Sequence, residues 1–182
     1  MDDVPEEITF LRWECELEND SLQVMRVQYL EGGLEFGTRT GDDELTSYSN
    51  PPLIDLKGSK LVVTVFSLEK SAIFDVSFFG TNGFRVLDEG GLTDIWCHYD
   101  KKKAVGLGDA SLFRLSGHGW SKESFLSFFN NPFSWMISTS WDCVEVISAN
   151  EPQVTLVKEI AGTKGSVPKD LIESLFDPTT IH

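Results

Sequence analysis

Two neighbouring apolar segments of strand length constrain this chain more than any other feature. Leu61-Val62-Val63-Thr64-Val65-Phe66 and Ala72-Ile73-Phe74-Asp75-Val76-Ser77-Phe78-Phe79 are rich in β-branched and aromatic residues, and the polar pair Glu69-Lys70 lies between them. Such side chains pack well on a pleated surface, and apolar runs this short suit core strands. A membrane helix needs about 20 apolar residues in a row. No stretch comes near that, and the longest, Leu61 to Leu68, is interrupted by Thr64 and Ser67.

The rest of the pattern is also mostly strand. Ile8–Cys15 predicts a first strand, and Leu22–Tyr29 alternates with period two. Glu31-Gly32-Gly33 predicts a turn, Leu34–Thr38 a short strand, and residues 40–60, with Pro51-Pro52, a long loop. Asn82-Gly83 predicts a hairpin, because both residues tolerate positive φ. Phe84–Leu87 would return from it, Gly90-Gly91 would turn, and Leu92–Tyr99 would run out again. Trp141–Ala149 and Val154–Lys158 predict two more strands. Two helices are expected. One is capped by Ser121 and runs through Asn130, with Phe125, Phe128 and Phe129 at helical spacing; the other starts at Pro168, with Leu171, Ile172, Leu175 and Phe176 on one face. The 182 residues suffice for one buried core. The expectation is a single domain over residues 1–182 of β-rich α+β class: an antiparallel sheet, curled or sandwich-like, with about two helices packed on it.

Charge narrows the partners. The chain holds 15 Lys+Arg against 29 Asp+Glu, a net of −14. Nucleic acid binding needs a basic footprint, and an anionic membrane surface attracts basic segments, so both are excluded as expected partners. The excess is uneven. Residues 1–44 hold 13 acids against Arg12, Arg26 and Arg39, a net of −10, and the remaining 138 residues carry a net of −4. An acidic patch of this kind keeps a protein soluble and steers a basic partner toward it. Lys101-Lys102-Lys103 is the one basic run and predicts a solvated turn.

Motifs for chemistry are sparse. Gly106-Leu107-Gly108 begins like a dinucleotide fingerprint but lacks its third glycine, and Gly162-Thr163-Lys164-Gly165-Ser166 lacks phosphate-loop spacing. Cys15, Cys97 and Cys143 form no C-x-x-C pair and predict reduced thiols. The start, Met1-Asp2-Asp3-Val4-Pro5, has neither the basic residues nor the apolar run of a secretory signal. A cytoplasmic protein with no cofactor and no metal is therefore expected. Cys97 and His98 are adjacent on an expected strand, so they would point to opposite faces. The strongest candidate for acid–base chemistry is His118, between Gly117 and Gly119, with Asp109 or Asp142 to orient it. Trp13, Trp96 and Trp141 fall in strand-like stretches and are expected in the core. Trp120 and Trp135 flank the Phe-rich helix, either beneath it or as aromatic anchors of an interface.

In size, acidity and absence of a catalytic motif, the chain resembles small acidic bacterial toxin-immunity proteins. The resemblance implies a protein-binding inhibitor that neutralises a cognate basic toxin or nuclease by electrostatic occlusion of its active site. It leaves the oligomeric state open. Glu31, Glu35, Asp42, Asp43, Glu44 and Asp20 would be the acids presented, with Trp120 and Trp135 as anchors. The alternatives are a small hydrolase using His118, a β-rich module that stacks a ligand on Trp120 and Trp135, and a chaperone.

Overall fold

The computed structural model describes residues 8–30, 60–123, 133–148 and 150–160. Among these residues the chain is β-rich α+β, with nine strands in two antiparallel sheets and three short helices. In chain order the strands are β1 (Thr9–Arg12), β2 (Leu22–Leu30), β3 (Lys60–Ser67), β4 (Ala72–Phe79), β5 (Thr81–Asp88), β6 (Leu112–Ser116), β7 (Ser134–Ser138), β8 (Asp142–Ser148) and β9 (Gln153–Glu159). The helices are α1 (Thr93–Trp96), α2 (Tyr99–Ala104) and α3 (Gly119–Glu123). One sheet runs β1-β6-β7-β8-β5 and the other β2-β3-β4-β9.

The two defining segments form the β3–β4 hairpin, in register from Lys60 opposite Phe79 to Ser67 opposite Ala72. Their inner face, Leu61, Val63, Val65, Phe74, Val76 and Phe78, joins Leu112, Trp135, Ile137, Val144 and Val146 of the facing sheet in one core. The outer face is buried as well, at Val62, Phe66 and Ile73. That burial on both sides accounts for the unbroken apolar run. The polar interruption is satisfied across the pair, where the Thr64 hydroxyl donates to Asp75 Oδ1 at 2.6 Å.

The chain crosses between sheets at one corner. Only Gly80 separates β4 from β5, yet β5 pairs with β8 of the other sheet. The expected Asn82-Gly83 hairpin is therefore absent, and both residues lie inside β5 at a register shift between Thr81 and Gly83. Gly83 packs against the facing side chains: a Cβ there would lie 3.4 Å from Ile147 Cδ1 and 3.8 Å from Trp120 Cζ2, at ordinary van der Waals contact. The second crossing, from β8 to β9, uses the same corner. There the Ser148 hydroxyl and the Asn150 amide both donate to the Phe79 carbonyl, each at 3.0 Å.

The outer face of the five-stranded sheet carries a second core, in which Phe10, Phe113, Leu115, Met136 and Cys143 pack under Leu92, Ile95 and Leu107. Leu92–Tyr99 is thus helical rather than the expected strand. Asp88 Oδ1 accepts the Gly91 N–H at 2.8 Å and starts a turn, after which Leu92 and Ile95 fall at helical spacing over the sheet. His98 caps α2 and Cys97 precedes it, so neither lies on a strand. The expected helix from Ser121 begins earlier, as α3. Its Phe-rich part, the strand Leu34–Thr38, the loop 40–60 apart from Lys60, and the helix from Pro168 lie outside the described residues.

Candidate functional site

Two polar assemblies sit on the outer side of the five-stranded sheet. The first centres on Glu145 of β8, whose neighbours across the sheet are Met136 and Arg85. After β6 the chain reverses at Gly117, at a φ of +75° that favours glycine. His118 is thereby turned onto the sheet, only 1% exposed. His118 Nε2 lies 2.6 Å from Glu145 Oε1, and the Ser134 hydroxyl also donates to Oε1. Arg85 grips the other oxygen through Nε at 2.7 Å and Nη2 at 2.7 Å. Its guanidinium lies 4.8 Å from the Trp120 ring centroid, so a cation–π contact closes the assembly.

Burial pushes the Glu145 carboxyl up, but the hydrogen bond and charge of His118, the Arg85 guanidinium and the Ser134 hydroxyl outweigh it. The carboxyl is held below its ordinary value. The orienting carboxylate of His118 is thus Glu145, not Asp109 or Asp142. An imidazole so enclosed, with Nε2 committed to a buried carboxylate, has no route to a substrate proton.

The second assembly is open. A cleft of about 620 Å³ is lined by Trp96, Tyr99, Lys102, Asp109, Ser111 and Trp141, among others, within the size range typical of binding sites. Lys102 forms its floor. This residue is not part of a solvated turn: α2 turns it inward until it is 4% exposed. Its ammonium donates to the Ala110 carbonyl at 2.9 Å and lies 4.3 Å from the Phe113 ring centroid and 5.4 Å from that of Trp96. Burial pushes the amine down to about 8, against the opposing pull of Asp109. On the wall, the Tyr99 hydroxyl donates to Asp109 Oδ1 at 2.9 Å. That bond and the nearby charges of Asp109 and Asp100 raise the phenol above its ordinary value.

Trp141 is not in the core but in the β7–β8 turn, 77% exposed. Thr139 Oγ1 accepts the Trp141 N–H at 3.3 Å and the Asp142 N–H at 3.0 Å. The same hydroxyl donates to the Asp142 carbonyl at 2.7 Å.

The other expected contact residues fall elsewhere. Trp135 is 4% exposed, packed against Trp13 and Phe133 between the sheets, and its indole N–H donates to the Ser148 carbonyl. It reaches no surface where a partner or ligand could stack. Trp120 is half-buried beneath Arg85. Asp20 is also buried, bound by Lys70 Nζ at 2.6 Å and by the Ser67 hydroxyl at 2.7 Å, so it is spent inside the protein. Glu31, Glu35, Asp42, Asp43 and Glu44 lie outside the described residues.

Cys15, Cys97 and Cys143 form no disulfide among the described residues, and no three His, Cys, Asp or Glu among those residues are grouped to hold a metal ion. No helix among the described residues is long and apolar enough to cross a membrane. Cys97 and Trp141, both expected inside strands, are instead exposed, and Cys143 is buried in β8. Compared with known proteins, the chain matches no family model, no curated protein and no solved structure.

Proposed function

We propose that this protein acts by binding: it captures a basic protein partner, of the toxin or nuclease kind, and neutralises it by occlusion, as immunity-type inhibitors do, in the cytoplasm. The observation that carries the reading is an open Trp–Tyr–Asp cleft on a chain whose net charge is −14. Tryptophan and tyrosine are the side chains that anchor protein interfaces, and the negative field steers a cationic partner. A nuclease domain is basic because its substrate is a polyanion. The hydrolase reading loses support from the enclosure of His118. Stacking a ligand on Trp120 and Trp135 loses support from the burial of Trp135.

The test is co-expression with the products of adjacent reading frames, followed by capture on the immobilised protein and titration of the captured partner's toxic or nuclease activity. Stoichiometric loss of that activity supports the reading. A captured partner that is acidic, or one whose activity is unchanged at saturating protein, overturns it.

A further inference from the structure

We infer that the cleft between Trp141 and Tyr99 is an arginine-binding site, taking a guanidinium side chain of a basic protein partner onto the Trp141 face and against Asp109. This deepens the reading above and rests on it for the source of the arginine.

The first argument is the state of the five tryptophans. Four have ring or cation partners within the protein. Trp13 packs on Phe78 and Trp135, Trp96 lies beside Phe113 and Lys102, Trp120 lies under Arg85, and Trp135 is flanked by Trp13, Phe133 and Arg114. Trp141 has no such partner among the described residues, and it is 77% exposed. Nor is it a loose surface ring, because the Thr139 hydroxyl ties the backbone on either side of it. A ring whose backbone is already held loses little freedom when something stacks on it.

The second argument is the sign of the field. The Asp109 carboxylate lines the cleft beside Tyr99, Asp100 follows Tyr99 in α2 and is exposed, and Asp142 beside Trp141 is exposed. Lys102, the one cation among the described residues that line the cleft, is already committed to the Ala110 carbonyl and two rings. An incoming anion would meet these carboxylates without a free cation to receive it. A guanidinium suits the site better than an ammonium, because it is planar, weakly hydrated and able both to stack and to pair with a carboxylate. Asp109 has Oδ2 left for that pairing, since Tyr99 uses Oδ1.

The experiment titrates the full chain with hexa-arginine, hexa-lysine and hexa-glutamate peptides by calorimetry at about 0.15 M salt, where diffuse surface attraction is screened. Amide resonances of residues 139–142 locate the site. Hexa-arginine is expected to bind and shift those resonances, hexa-lysine to bind about threefold more weakly, and hexa-glutamate not to bind. Trp141→Ala should weaken hexa-arginine about tenfold, Trp141→Phe should restore part of the loss, and Asp109→Asn should cost about threefold. Far-UV circular dichroism checks that each variant is folded.

Hexa-arginine that fails to bind, binds Trp141→Ala as tightly as the native chain, or binds no better than hexa-lysine overturns the site. The two proposals separate cleanly. A basic partner neutralised equally by Trp141→Ala and by the native chain removes the arginine site and leaves the inhibitor reading standing. Trp141-dependent binding of hexa-arginine, with a captured partner that is not neutralised, does the reverse.

Discussion

The closed assembly around Glu145 and the open cleft around Trp141 are built from the same three kinds of group: an aromatic ring, a carboxylate and a cation. They differ in what is already occupied. Around Glu145 the protein supplies everything, so Arg85 covers Trp120 and both carboxylate oxygens are filled. Around Trp141 the ring and one oxygen of Asp109 are open, and the local cation is turned down into the floor. The comparison separates two uses of one chemistry. A saturated buried ion cluster holds elements together, whereas an unsaturated exposed one is left for something from outside.

The largest expected effect breaks the closed side. Glu145→Ala leaves the buried His118 and the half-buried Arg85 without their anion and should cost about 3–5 kcal/mol in denaturant unfolding. Trp135→Ala, which empties the junction between the two sheets, should cost a similar amount, about 3–5 kcal/mol. Next comes acid. Glu145 is held below its ordinary 4.5 in the folded state. Its contribution is therefore complete above that value and is lost as pH falls through the lower, folded one. Glu145→Gln should flatten this acid limb, and a limb of unchanged slope would show that other carboxylates dominate it.

On the open side the slope has the same sign but lies in an alkaline window. Lys102 is lowered from 10.5 to about 8 in the folded state, so the unfolded chain binds more protons between those values and stability should rise with pH across that window. Lys102→Met should remove the rise. The smallest effect sharpens the comparison most: Trp141→Ala should change stability by less than about 0.5 kcal/mol. A larger loss would mean that the ring is a structural part of the turn rather than an open face.

Much of the sheet framework was legible because β3, β4, β8 and β9 announce themselves by apolar or alternating runs bounded by polar turns. The five-residue strands β6 and β7, Leu112–Ser116 and Ser134–Ser138, gave no such signal, because each is too short to show a period. Leu92–Tyr99 looks like a strand because Gly90-Gly91 reads as a turn after Phe84–Leu87, and Asp88 instead nucleates a helical turn there. Asn82-Gly83 has hairpin chemistry, but both residues are taken into β5 by its pairing with β8, a partner 60 residues away that is invisible along the chain. His118 was singled out by its flanking glycines, yet its partner lies on another strand. The available clue was a lone acid inside the apolar stretch Val144-Glu145-Val146, since a charge placed there must find counter-charges. Lys102 and Trp141 were misjudged together, because burial in this region follows from how α2 and the β7–β8 turn lie on the sheet.

The pairing of β1 with β6 has a consequence for synthesis. Thr9 meets Ser116 only after more than half of the chain has left the ribosome. Strands β2, β3 and β4 are sequence neighbours and can associate once residue 79 has emerged. Until the later strands arrive, their inner face of leucine, valine and phenylalanine stays uncovered. The nascent protein thus passes through a stage that exposes adhesive surface, and its yield in the cell should depend on how that interval is shielded.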